Sequence, residues 1–386
     1  MHTHHNRDRH DCSRRGFLGR LLASTLPGAS VLELSIARAA CARAQAAGAN
    51  PQLFDIGKIT SGVYAAIARP AVLTNCNAVI FERSADLLVV DTHSKPSAVA
   101  SLVAQIRREV SPKPVRYVVN THFHYDHTQG NPEYQKQFSK LDIVASETTK
   151  KLMVELAEKR LKASLDAIPA SIAQAEEKAA KTRSAEERAF FEDEARQYRA
   201  YLAEMKDYRV ALPTITFAES YVIKDKAGDI HLSFHGRAHT ASDIVVFSPV
   251  KKVLAAGDLI HGSFPTITDG YPREWPATLD AVAKIGFTYA APGHGPVQKG
   301  AARIRNMRNY IEELAARVAD GKRAGKSVAE LQKTITVSSL RSLAADGYAD
   351  YILANRSAGY RRLGPIRMQD GIDGNIAQIY EALEHR

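Results

Sequence analysis

Seven consecutive residues constrain this chain more than anything else in it. Thr121-His122-Phe123-His124-Tyr125-Asp126-His127 puts four ligand-type side chains within six positions. The apolar run Val115-Arg116-Tyr117-Val118-Val119-Asn120 leads straight into it and reads as a buried strand. His122 and His124 sit two apart, so on an extended loop they point the same way. Asp126 and His127 follow where a turn redirects them toward a second ion. Neutral imidazole and carboxylate are ligands that zinc accepts. The bland alternative is a chance histidine-rich loop, and the length of H-x-H-x-D-H argues against it.

Three isolated residues extend the pattern. His239 lies in Gly236-Arg237-Ala238-His239-Thr240, Asp258 in Ala256-Gly257-Asp258-Leu259, and His294 in Pro292-Gly293-His294-Gly295. Each falls at the end of an apolar run beside small residues, where a loop can approach an ion closely. Alone, each would be an ordinary loop residue. After the motif, in this order, they read as the rest of a metal constellation.

The chain around them reads as α/β. Ile56-Ile59, Val63-Ala68, Ala78-Phe81 and Leu87-Val90 are expected strands, and Ser97 to Val110 has helical spacing. Residues 147–209 differ in kind, with 13 acidic and 13 basic side chains. A stripe of Leu152, Leu156, Leu161, Leu165, Ile168 and Ile172 predicts one helix, broken or kinked near Pro169. Ser184-x-x-Glu187 predicts a capping box opening a second helix. Together they suggest an inserted helical hairpin with a solvated charged face, able to overhang an active site or make a dimer contact. Ile215 to Ile223, Ile230 to His235, Ile244 to Phe247 and Val253 to Ala256 follow as strands. A helix over 300–320 is expected to end at Gly321.

On Asp91-Thr92, the His122 to His127 motif, His239, Asp258 and His294, the chain resembles the metallo-β-lactamase superfamily across roughly 54–300, less the insert. The resemblance implies an α/β fold: a four-layer αββα sandwich over 50–300, with a helical hairpin insertion at 147–209 and a helical C-terminal extension at 301–386. It implies two Zn²⁺ per chain. His122, His124 and His239 would hold the first, Asp126, His127 and His294 the second, and Asp258 would bridge them. A metal-bridging hydroxide would attack a carbonyl or phosphoryl centre of a small-molecule substrate, with Asp126 as the catalytic residue that orients it and shuttles its proton. Asp91 resembles the supporting aspartate that orients the ligand loop. Where the family has Gly after Asp-Thr, this chain has His93, read as a surface imidazole.

Position 258 separates branches of the family. The best-known β-lactamases carry Cys there, and a Lys three residues on that grips the substrate carboxylate. Here those places hold Asp258 and His261, the latter a weaker, pH-dependent cation. Both departures argue against efficient β-lactam hydrolysis and leave a low-efficiency β-lactamase as one alternative. Exported, quinoprotein-associated zinc hydrolases look most similar. A persulfide dioxygenase-like oxygenase with one iron and a non-catalytic metal-binding protein are the other readings.

The N-terminus reads as an address. Ser13-Arg14-Arg15-Gly16-Phe17-Leu18-Gly19 is a twin-arginine pattern, followed by a mildly apolar stretch and two A-x-A sites, Ala37-Arg38-Ala39 and Ala42-Arg43-Ala44. A signal over 1–44 and a periplasmic or secreted product are expected. The stretch is too short and too polar for a stable membrane span. The chain has 52 basic and 42 acidic residues, a net charge of +10. Six Arg against three acids fall within 1–41, leaving +7 for the remainder. No basic run interleaves with aromatics, so no nucleic-acid partner is expected. Cys12 and Cys41 fall in or near the signal, so Cys76 has no internal disulfide partner.

Overall fold

Strands that are apolar on both faces need cover on both faces, and the architecture follows from that. In a computed structural model of the chain, residues 53–71, 73, 75–355 and 368–385 are described. The expected signal at 1–44 lies outside them. Strands β1 (Phe54–Thr60), β2 (Val63–Ala68), β3 (Ala78–Glu82), β4 (Leu87–Val90), β5 (Val115–Val119), β6 (Asp142–Ser146) and β7 (Ile215–Phe217) form one sheet in sequence order. It is antiparallel as far as β4 and parallel from β4 to β7. Strands β8 (Ser220–Ile223), β9 (Ile230–Phe234), β10 (Ile244–Ser248), β11 (Val253–Ala255), β12 (Tyr289–Ala291) and β13 (Gln298–Lys299) form the second, with only the β11–β12 pair parallel.

The period-2 alternation of each strand sorts its side chains into layers. Val79, Phe81, Leu88, Val90 and Val119 of the first sheet meet Leu232, Ile244, Val246 and Val253 of the second in one shared core. Ile80, Leu87, Val89 and Val118 face the other way, against Val99, Leu102 and Ile106 of helix α1 (Pro96–Glu109). The outer face of the second sheet, with Val245, Leu254 and Ala290, is covered by Leu279, Ile304, Ile311, Leu314, Ile372 and Ile376. These come from Trp275–Val282, Ala302–Arg323 and Met368–His385. The result is the expected four-layer αββα sandwich, and the C-terminal extension is helical and supplies much of the fourth layer.

Between β6 and β7 the chain makes the inserted hairpin, Glu158–Lys181 and Ala185–Met205. Leu161, Ile168, Tyr201 and Met205 give it a small core of its own. Four local expectations need correction. The helix continues through Pro169 without a break, and a π turn precedes it at Met153–Ala157. Ser184 accepts from Glu187 N at 3.3 Å, but the Glu187 carboxylate takes the Thr182 hydroxyl, so only half the box forms. The run Ile215 to Ile223 is two strands in different sheets, divided at Ala218-Glu219. Gly321 lies inside its helix, where a Cβ would collide with Leu331, and the chain turns at Gly325, with φ +76°.

Candidate metal centre

Parallel pairing puts the C-terminal ends of β4 and β5 side by side on one edge, and β11 and β12 do the same in the other sheet. Loops from those ends converge, as is usual for ligand sites of α/β sheets. After β5 the chain bends through Thr121–Phe123, is extended at His124, with ψ 150°, then turns into the short helix α2 (Tyr125–Thr128). That switch aims His122 and His124 one way and Asp126 and His127 another. Asp258 lies in a single 3₁₀ turn after β11, whose Leu259 carbonyl accepts from Trp275 Nε1 at 3.0 Å. His294 follows β12.

The structure brings all seven expected residues together. His122, His124 and His239 offer ligand atoms within 4.8 Å of one another, as do Asp126, His127 and His294. His239 Nε2 is 3.0 Å from His124 Nδ1. Asp126 Oδ2 is 3.1 Å from His294 Nε2 and 3.5 Å from His127 Nε2. Asp258 reaches both groups, with Oδ1 3.4 Å from His127 Nε2 and Oδ2 3.5 Å from both His239 and His294.

These spacings test whether a cation fits. Two ligands on one tetrahedral zinc, each about 2.0–2.1 Å from it, stand about 3.3 Å apart. The observed separations, 3.0–3.5 Å, scatter around that value. His122 Nε2, His127 Nε2 and Asp258 Oδ1 are buried and make no hydrogen bond among the described residues. Such orphaned groups are costly unless something else satisfies them. Gly293 leaves room for that carboxylate, since a Cβ there would collide with Asp258 Oδ1. The donor set fits divalent cations held by imidazole and carboxylate.

The electrostatics agree. Burial, reinforced by neighbouring imidazoles, holds His122 well below the usual histidine range. Burial does the same to His239 against the pull of Asp258. Burial also opposes charge on His294, but Asp258 and Asp126 outweigh it and push the imidazole up to about 10. His127 rises for the same reason, with Asp126, Asp91 and Asp258 around it. Without a cation, protons on His127 and His294 balance the two buried carboxylates; a bound cation would take over that role.

Asp91 has the supporting position expected of it. It sits at φ +66°, and its carboxylate accepts from Thr121 N at 2.8 Å and lies 2.8 Å from His127 Nδ1. That contact leaves His127 Nε2 for the cluster. Two other histidines depart from expectation. His93 is completely buried, with Nδ1 3.0 Å from the Cys76 carbonyl, so it is not a surface imidazole. Burial lowers it to about 3, which keeps it neutral, and pushes the neighbouring Cys76 thiol up to about 12. His261 is also buried, and burial lowers it to about 4, so it offers no cation to a substrate carboxylate. Its ligand nitrogen instead falls within 4.8 Å of the ligand nitrogen of His239 and a carboxylate oxygen of Asp258.

Several supporting residues carry no motif and escaped the sequence. Asp269 Oδ2 lies 3.0 Å from His124 Nε2, and Arg160 of the hairpin grips the same carboxylate with two bonds, 2.7 and 3.0 Å. Asp243 accepts from Thr240 N at 2.6 Å and steadies the His239 loop. Asn77, before β3, donates to the Pro292 and Gly295 carbonyls at 3.0 and 2.7 Å, clasping the His294 loop. Asp269-Gly270 was legible only as a turn, and Thr240-x-x-Asp243 only as a local cap.

A fold of this kind, with a histidine–aspartate cluster at one edge, defines a class of metal-site proteins. The family model for the metallo-β-lactamase superfamily matches residues 71–294, and the chain belongs to that superfamily. Among solved structures, a metallo-β-lactamase from Pontibacter korlensis is similar at 18% identity and a TM-score of 0.50, covering 67% of this chain and 99% of that one. Another, from Hirschia baltica, is 19% identical with a TM-score of 0.47, covering 67% of this chain and 97% of its own.

Proposed function

We propose that the protein is an exported, dinuclear zinc-dependent hydrolase acting on a carbonyl or phosphoryl centre of a small molecule. The observation that carries this reading is Asp258. Its two oxygens reach the histidines of both groups, an arrangement that a single ion does not require. His122, His124 and His239 would hold one ion, Asp126, His127 and His294 the other, with Asp258 between them. When bound, such a pair supplies a water activated near neutral pH and a Lewis acid for the oxygen that gains charge.

The chain's own contribution is orientation. Asp126 is the catalytic residue in this reading. Its carboxylate is buried yet held below the usual carboxylate range by His127 and His294, so it is ionised and able to accept the hydrogen bond that orients an attacking water. Asp91 and Asp269 fix His127 and His124 from behind. Trp275 packs its ring 5.6 Å from that of His239 and closes that side of the cluster.

Metal analysis of the purified, zinc-replete protein tests the reading, together with a panel of β-lactams, lactones, thioesters and phosphodiesters. Two zinc per chain and turnover of one class are expected. Asp258→Ala should lose the second ion first, because a bridging carboxylate offsets repulsion between two dications. One iron per chain would favour the oxygenase, and zinc without turnover of any class would favour the binding protein.

A further inference from the structure

Next to the cluster, a cavity of about 190 Å³ opens between the inserted hairpin and the motif loop. His124 forms part of its wall, so a group seated there is one imidazole ring from the cluster. Phe123 and Tyr125 line it from the motif, Leu161 and Tyr208 from the hairpin and its C-terminal continuation, and Leu73 and Val210 close it.

The charged, imidazole and amide side chains of its lining are engaged with other groups, and the rest of its polar lining is neutral hydroxyl. Arg160 is bound to Asp269 and lies over the Phe123 ring at 5.1 Å. Gln129 accepts from the Tyr201 hydroxyl at 2.9 Å, and the Thr128 hydroxyl donates to the His124 carbonyl at 3.0 Å. An ionic occupant would therefore lose its water and find no uncompensated charge to pair with. The size is also selective. Whole-ligand pockets run to roughly 300–1,000 Å³, whereas an apolar cavity of about 150 Å³ accepts benzene.

We infer that this cavity is a substrate subsite for one compact, uncharged apolar group, a phenyl ring or a branched alkyl group of similar bulk. The reactive centre of the same molecule would lie at the metal cluster. The inference rests on the proposed hydrolase and narrows its substrates to esters, thioesters or amides with such a group on the acyl side. The hairpin is thereby a specificity element, since it builds one wall of the cavity from residues outside the sandwich.

The test compares two pairs of probes on wild type, Ser164→Trp and Ala157→Leu. Both positions line the cavity, and neither belongs to the hairpin's own apolar cluster or to the metal cluster. Thermal melting confirms that each variant is folded, and either one suffices to decide. Calorimetry measures phenylacetamide against acetamide, with zinc-loaded and with chelator-treated protein. Rates in a pH-stat compare methyl phenylacetate with methyl acetate.

Phenylacetamide should bind at least about tenfold tighter than acetamide with or without zinc, as expected for burying a ring. Methyl phenylacetate should be preferred by a similar factor in kcat/KM, and both preferences should vanish in a folded variant. Equal binding of the two amides, or a preference that survives in the folded variants, overturns the subsite. Variant-sensitive binding of phenylacetamide with neither ester hydrolysed leaves the apolar site standing and overturns its assignment to ester substrates, while the wider panel decides the hydrolase. Hydrolysis of both esters at equal rates removes the subsite and leaves the hydrolase.

Discussion

Asp91 shows how much one side chain outside the ligand set can decide. It takes a left-handed backbone conformation that non-glycine residues rarely adopt, and its carboxylate meets both Thr121 N and His127 Nδ1. Asp91→Asn could still accept from Thr121, but its amide would then present a donor to the imidazole. The ring would move its proton to Nε2, the atom needed at the cluster. Metal affinity should fall about 10- to 100-fold, as for other outer-shell losses, and chelator competition measures it; an unchanged affinity would refute the role. Asp243 gives a pH signature. Burial raises its carboxyl to about 7 from 3.8, against the bonds from Thr240. A raised acid favours the folded state while protonated, so its contribution is complete below about pH 3.8 and lost as pH rises through about 7. The metal-free wild type should therefore lose melting temperature relative to Asp243→Asn between about pH 4 and 7. Parallel curves would show that Asp243 titrates normally. At this scale the ligands were legible because their chemistry is concentrated in type and spacing. Asp243 and Asp269 were not, because a lone loop aspartate looks the same whether it holds a ligand or faces water. His93 and His261 misled for a related reason: burial is a property of the packed molecule, and neither residue has an apolar periodicity around it to announce it.

Elements meet at the site through loops, and Asn77 shows what that demands. Its side chain accepts from Ala68 N at 3.0 Å and donates to the Pro292 and Gly295 carbonyls, while its own N–H donates to Gly293 O at 2.6 Å. One residue thus ties an edge of the first sheet to the turn carrying His294 in the second. Asn77→Ala would leave three buried backbone groups unpaired, each worth about 1–3 kcal/mol. A loss of about 3 kcal/mol or more in denaturant unfolding is expected, with weakened metal binding through His294; a loss below about 1 kcal/mol would mean that water replaces the clasp. The central strands were legible at this scale because they are buried on both faces, so Ala78–Phe81, Leu87–Val90 and Ile244–Phe247 are unbroken apolar runs. Division of one run between two sheets was not legible. Ala218-Glu219 carries no proline or glycine, and what separates β7 from β8 is which partner each finds: β6 for one, β9 for the other. Pro169 misled for the opposite reason. It is a strong local signal, yet the long helix around it continues, with its buried face at Leu161, Ile168 and Ala175 held against the second hairpin helix.

At the scale of the whole molecule, the cluster is a long-range object. Its seven expected ligands span residues 122–294 and come from both sheets, and the loops that hold them depend on Asp91 and Asn77 further upstream. No part of the chain shorter than nearly the whole sandwich can assemble it, so on the proposed reading the complete metal site exists only in the folded protein. That requirement bears on the proposed N-terminal export signal. The twin-arginine route resembles one that moves folded proteins, which would let the cluster fill before export. Arg14→Lys with Arg15→Lys separates recognition from charge, because it preserves both positive charges and changes only the guanidinium fork that a receptor can read. The double variant should remain in the cytoplasm, uncleaved and folded, with its metal content intact. Cell fractionation, with metal analysis of the retained protein, checks it. Normal export of the double variant would show that charge alone suffices and remove the twin-arginine reading. Retention of an unfolded, metal-free protein would instead break the link between cluster assembly in the cytoplasm and the route out.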